Sequence, residues 1–210
     1  MRGTTYVSVH ENEQTAVAAC RKVMRQRGGR LIELKAQGHR LVRFTLNKTV
    51  YTFDPNRIFT DIGIRKTLAL YGDYSKPAHA AVAELRETLL AAIRKNLRPP
   101  IIALHNNSDG ALSVKSYAPG GPLNHEASRV AINPKADADN FFLVTEPKAY
   151  DWLQQAGFNV VLQSPNPTDD GSMSVFCQQN GIAYVNVEAE FGQLAEQIHM
   201  LEFLVNSMSR

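Results

Sequence analysis

The chain has only two cysteines, Cys20 and Cys177, and a single tryptophan, Trp152. Each cysteine sits in a helix-like stretch, so the pair reads as unpaired structural thiols and a disulfide-stapled scaffold is excluded. No run approaches the ~20 apolar residues of a membrane-spanning helix, and Met1-Arg2-Gly3 leads into the first apolar run without a signal-peptide pattern. The expectation is a protein with no membrane partner and a lean towards the cytoplasm. Strong charge of either sign is missing too: 23 Lys and Arg against 20 Asp and Glu leave +3. Arg21, Lys22, Arg25, Arg27 and Arg30 form one short cluster that reads as a solvated helix face, so nucleic acid is not an expected partner. No repeat or linker interrupts the 210 residues, enough for one substantial core and short for two, and residues 1–210 read as one domain.

What is present is an alternation of short apolar runs and helical periodicity. Strands are expected at 4–9, 30–35, 41–46, 49–53, 112–117, 141–145, 158–163 and 182–188, with a further one along Ile101-Ile102-Ala103-Leu104. Helices are expected at 14–27, 61–71, 76–96, 147–156, 171–180 and 193–207. Gly28-Gly29 ends the first, and Pro99-Pro100 stops the third. Residues 118–140, rich in Pro, Gly, Asn and Asp, lack periodicity and read as a long functional lid or mobile insertion. The pattern implies a three-layer α/β/α fold with helices on both faces of a mixed sheet.

Chemistry concentrates where apolar runs end. Tyr6-Val7-Ser8-Val9 leads into His10-Glu11-Asn12-Glu13, and Ile101-Ile102-Ala103-Leu104 leads into His105-Asn106-Asn107. A spacing of three across a strand-to-helix turn lets His10 and Glu13 face one point, although the same pattern also suits a capped helix start. With His105 added, two nitrogens and a carboxylate make the ligand set of a catalytic zinc with one position open. Strand ends converging on one crevice are where open α/β sheets place their sites. In Phe53-Asp54-Pro55-Asn56-Arg57 the proline restrains a turn after a strand, and Asn56 and Arg57 offer an amide and a planar fork suited to a carboxylate. In Tyr184-Val185-Asn186-Val187-Glu188-Ala189-Glu190, Asn186, Glu188 and Glu190 share one strand face. His39, His79 and His199 read as solvent-exposed, Trp152 as core packing, and His125 as a loop residue that reaches the site only if the loop closes.

In this order the elements resemble the zinc carboxypeptidase superfamily, which includes the aspartoacylase and succinylglutamate desuccinylase branch. The match runs from residue 4 to about 192: His10-x-x-Glu13, Asp54-Pro55-Asn56-Arg57, Leu104-His105-Asn106, then Glu188 and Glu190. It implies a carboxypeptidase-like α/β/α fold shortened at the N-terminus, since longer members have strands before the His-x-x-Glu turn. It also implies one Zn²⁺ per chain bound by His10, Glu13 and His105, a substrate carboxylate held by Asn56 and Arg57, and a late glutamate as general base. An upstream arginine that polarises the scissile carbonyl corresponds to Arg40 or Arg43. The mobile tyrosine of longer members has no counterpart, since residues 163–179 contain no Tyr. The implied activity is a metallopeptidase or amidohydrolase that cleaves an amide beside a carboxylate with metal-activated water. Its substrate would be a small peptide or an N-acyl amino acid; the alternative is an inactive metal- or ligand-binding module. Glu188 follows apolar Val187 and sits deeper; Glu190 precedes Phe191-Gly192.

Overall fold

The computed structural model describes residues 3–95 and 97–208. A seven-stranded mixed sheet runs in the order β2 (Arg30–Glu33), β1 (Thr4–Ser8), β5 (Arg98–Asn107), β9 (Tyr184–Glu190), β7 (Phe141–Val144), β8 (Val160–Gln163), β6 (Ala127–Ala131). The first four are mutually parallel, β7 lies antiparallel to β9 and parallel to β8, and β6 closes the edge antiparallel to β8. A separate hairpin joins β3 (Val42–Leu46) to β4 (Thr49–Phe53) through Asn47 and Lys48. Both turn residues take positive φ, the requirement of a tight two-residue hairpin loop.

Strand alternation divides the core. Ile102, Leu104, Val185 and Val187 face α1 (Gln14–Arg27), α4 (Pro147–Gln155) and α6 (Leu194–Ser207). Ile101, Ala103, Leu143 and Tyr184 face α3 (Lys76–Arg94) and α5 (Met173–Gln179). The result is an α/β fold with helices on both faces of a mostly parallel sheet. Phe53 of the hairpin packs with Ile64 and Leu68 of α2 (Asp61–Tyr71) in a smaller cluster. Cys20 and Cys177 are buried on opposite faces and unpaired. No described helix is long and apolar enough to cross a membrane.

Three expectations need correction. The strand expected at 112–117 is a loop and a 3₁₀ turn, Val114–Tyr117, because Ser113 and Ser116 cap each other's backbone and Val114 N donates to Ala138 O instead of to a strand. The segment 118–140 is not all loop: it contains β6, whose register shifts between Ala127 and Arg129 and so hides its alternation. Arg30 leaves the solvated basic face and donates to Ala92 O (2.8 Å) and Ile93 O (2.9 Å) at the end of α3, where a cation suits the helix dipole. Arg21, Lys22 and Arg25 remain exposed. Pro99 and Pro100 fall in a bulge within β5, between the Thr4–Arg98 and Thr5–Ile101 pairs, where a missing N–H is tolerated.

One close approach holds the cleft wall. Phe59 N donates to Gly171 O (2.9 Å), and a Cβ on Gly63 would run into Gly171 Cα and Arg57 O. Gly63 lies in the first turn of α2, against the turn that carries Asp170, so any side chain there pushes against backbone. Gly63→Ala should lower the unfolding free energy by about 1–3 kcal/mol, the scale of overpacking. A denaturant midpoint equal to that of the parent protein would refute this contact.

Candidate metal centre

β1 ends at Ser8, and the chain turns at once: Glu13 N donates to His10 O at 3.2 Å. This turn brings both side chains to one side. Glu13 occupies the cap position of α1, yet its carboxylate makes no capping bond. Asn106 takes that task, its Oδ1 accepting from Ala16 N at 2.9 Å. The capped-start reading of His10-x-x-Glu13 therefore fails, and the Glu13 carboxylate is free to face the histidines. The Asn106 bond also ties the turn to β5, where the preceding residue is His105.

The three side chains meet. Glu13 Oε1 lies 2.8 Å from His10 Nδ1, and Glu13 Oε2 lies 3.0 Å from His105 Nδ1. One ligand atom from each of the three falls within 4.8 Å of the others. The imidazole rings stand edge to face with centroids 5.3 Å apart. All three residues are buried, His10 completely. Behind them, His10 Nε2 lies 2.7 Å from Asp54 Oδ1, which also accepts from Asn56 N at 2.8 Å. A carboxylate on the far nitrogen fixes ring orientation and tautomer, as outer partners of metal-bound histidines do.

With Asp54 on Nε2, Nδ1 is the nitrogen turned towards Glu13. Nδ1 is buried and has no hydrogen-bond partner, because Glu13 Oε1 lies near it but out of line. A lone pair facing a carboxylate oxygen is repulsive unless a proton or a cation sits between them. Burial lowers the His10 pKa, but Asp54 and Glu13 outweigh it and leave the value raised. Burial raises that of Glu13, but His105 and His10 override it and hold the carboxyl well below the usual range. A buried anion between two imidazoles, with one nitrogen unpartnered, fits a divalent cation with a further position open.

A cleft of about 830 Å³ opens beside the cluster. Arg40 lines it and reaches Glu13 Oε1 (2.7 Å) and Asp54 Oδ2 (3.6 Å). Arg43 lies on the exposed side of the hairpin, away from the cleft lining. Asn56 and Arg57 line the cleft from a 3₁₀ turn; Asn56 Oδ1 accepts from Met173 N, and Arg57 pairs with Asp170 at 2.7 Å. Register places Glu188 directly beside His105. Glu188 lines the cleft and accepts from Asn186 Nδ2 at 3.0 Å. Burial raises its pKa above the ordinary carboxylate value. Glu190 is absent from the cleft lining and accepts from Gln193 Nε2 at 2.6 Å.

His125 pairs with Glu126 at the exposed rim, His39 and His199 are exposed, and His79 is half-buried beside Tyr74 and Asp61. Sequence reasoning missed Asp170 and Tyr117 as cleft residues and gave Asp54 no role. Asp54 had a signal, since it heads the Asp-Pro-Asn-Arg turn; Asp170 lies in an aperiodic stretch, and Tyr117 in one whose pattern suggests a strand. No protein-family model, curated protein or solved structure matches this chain.

The protein should take up about one zinc per chain, and His10→Ala, Glu13→Ala and His105→Ala should each strip it. Asp54→Ala should keep the site but weaken metal affinity about 10–100-fold. Affinity should fall as pH drops through the raised His10 value, since protons compete for Nδ1. Calorimetric titration with the metal reads all three. Stoichiometric zinc in every ligand variant would dismiss the cluster.

Proposed function

We propose that this chain is a zinc-dependent hydrolase that cleaves an amide bond next to a substrate carboxylate, as members of the zinc carboxypeptidase superfamily do. The observation that carries this reading is the unpartnered His10 Nδ1 facing Glu13 and His105 at the edge of a cleft that also holds Arg57 and Glu188. His10, Glu13 and His105 hold the metal. Zinc in such a set supplies Lewis acidity, polarising a carbonyl and lowering the pKa of water to ~7.

The remaining tasks belong to the side chains of the cleft. Glu188 takes the proton of the attacking water and returns it to the leaving nitrogen. Its environment suits the task, because burial makes its carboxylate a better proton acceptor and Asn186 fixes one oxygen. Arg57 grips the substrate carboxylate with the N–H groups that Asp170 leaves free. Asn56, whose carbonyl is tied to Met173 N, presents its amide N–H groups beside it. Arg40, half-exposed at the cluster, brings a cationic donor to the oxygen on which charge develops.

A small peptide and an N-acyl amino acid both satisfy these demands, so peptidase and deacylase activities share one site description. An inactive binding module would not need a buried base in register with a metal ligand. Hydrolysis of N-acyl amino acids and short peptides by the zinc-loaded protein, lost on chelation and restored by zinc, is the direct test. Glu188→Gln should keep the metal and lose at least ~100-fold in kcat, the scale of positioned proton transfer, whereas Glu190→Gln should lose little. Arg57→Lys should raise KM with zinc retained, because a point charge cannot reproduce a fork. Near-normal turnover in Glu188→Gln would remove β9 from the mechanism.

A further inference from the structure

One guanidinium serves the metal centre from outside. Arg40 Nη1 donates to Glu13 Oε1 at 2.7 Å, and Nη2 lies 3.6 Å from Asp54 Oδ2, so Arg40 faces the carboxylate inside the cluster and the one behind it. Glu13 Oε1 is also the oxygen that lies 2.8 Å from the unpartnered His10 Nδ1. The oxygen best placed to share a cation with His10 is therefore already held by a positive charge. That charge is not locked in. The Arg40 side chain is 47% exposed at the cleft mouth, whereas that of Glu13 is 3% exposed.

The backbone under Arg40 is tied to the same turn. Glu11, between His10 and Glu13, accepts through Oε2 from Ala36 N and from Gly38 N, which anchors the loop leading from β2 to the hairpin. Beyond that anchor Gly38, His39 and Arg40 are exposed, so the guanidinium can change partners while its loop stays in place. Charge decides which partner it takes. Without a metal, Glu13 is a buried carboxylate, and removing its outer cation is costly. A divalent cation at the cluster supplies that charge itself and repels a guanidinium bonded to one of its own ligand oxygens. The cleft offers Arg40 another place: burial raises the Glu188 pKa, and Arg40 is among the groups that pull it back, so its charge already reaches the base.

We propose that Arg40 is the counter-ion of the metal-free centre and that metal binding displaces it from Glu13 into the cleft, where it becomes free to meet a substrate oxygen. The inference rests on the metal reading of the cluster. It makes metal loading and substrate binding cooperative: the unloaded protein spends Arg40 on its own carboxylate, and the loaded protein presents it. By linkage, a substrate group that engages Arg40 tightens the metal by the factor with which the metal tightens the substrate. Arg40 also guards the empty site, because it keeps Glu13 paired until a cation arrives.

Zinc titrations of the chelated protein, read by calorimetry and by the side-chain NMR signals of ¹⁵N-arginine, test the exchange. Arg40→Gln should lower the melting temperature of the metal-free protein and bind zinc at least ~5-fold tighter than the parent, the lower end of usual coupling between sites. Arg40→Lys, which keeps the charge without the fork, should fall between them. In the parent, the Arg40 guanidinium should rotate slowly while it is bonded to Glu13 and freely once zinc is bound. Weaker or unchanged zinc affinity in Arg40→Gln makes Arg40 a fixed outer support and overturns the inference. So does a guanidinium signal that zinc leaves hindered and unshifted. A parent protein that takes up no zinc sinks the metal reading itself, whereas zinc uptake without release of Arg40 sinks this inference alone. Release of Arg40 without hydrolysis of any amide sinks the hydrolase reading and leaves the exchange standing.

Discussion

A buried carboxylate held between two imidazoles is the constraint on which the rest of the structure depends. Glu13 is 2% exposed, and taking an unpaired carboxylate out of water costs several kcal/mol even after relaxation. It stays ionised only because His10 and His105 flank it and Arg40 reaches it from the mouth. Each partner must in turn be placed by something else. Asp54 holds the far side of His10, Thr67 Oγ1 accepts from Asp54 N, and Asn106 relieves Glu13 of capping α1. Cutting any one of these links leaves a buried charge or donor without its partner, so the turn, the hairpin exit and β5 behave as one unit.

The other half of the site depends on strand register. His105 and Glu188 face the same cleft because β5 and β9 pair in parallel with these residues side by side. On the opposite face, completely buried Gln197 of α6 donates to His105 O (3.3 Å) and Val187 O (3.2 Å) and accepts from Asn106 Nδ2 (2.9 Å). Asn106 also donates to Ala189 O. This network is satisfied throughout, the condition under which buried polar groups rigidify a core. It bridges the two strands where they end. A one-residue slip would turn His105 or Glu188 to the wrong face.

The parts of this molecule that were legible in the sequence are those where one residue row reports one environment. The unbroken apolar run Ile101 to Leu104 and the alternating Val185 to Glu188 place His105 and Glu188 towards strand ends, and Asn47-Lys48 marks the hairpin turn. The sequence also brought His10, Glu13 and His105 together, because a turn of three residues and a strand end are local signals. It could not separate Arg40 from Arg43, or Glu188 from Glu190. Those choices are made by the hairpin's direction of exit and by Gln193, neither of which has a periodic signature. β6 escaped notice because a bulge breaks its alternation, and Asp170 because its place beside Arg57 depends on Gly63 and Gly171 letting two backbones touch.

Polar satisfaction separates scaffold from site without reference to any relative. Buried Asn159 shows the scaffold's habit: Nδ2 donates to Asp137 O and Asn140 O, and Oδ1 accepts from Asn133 N. Gln197 is treated in the same way. Among the described residues six buried side-chain polar atoms lack a partner, and four of them, on His10, Asn107, Gln163 and Asn186, belong to the cluster or its cleft; Tyr6 and Gln178 hold the other two. A fold that satisfies Asn159 and Gln197 so fully is able to satisfy buried polar groups. The deficit is therefore concentrated there: an unpartnered imidazole nitrogen and three carbonyl oxygens. Acceptors left open together, beside a buried anion, are complementary to cations and N–H donors, and at His10 that deficit argues for a metal.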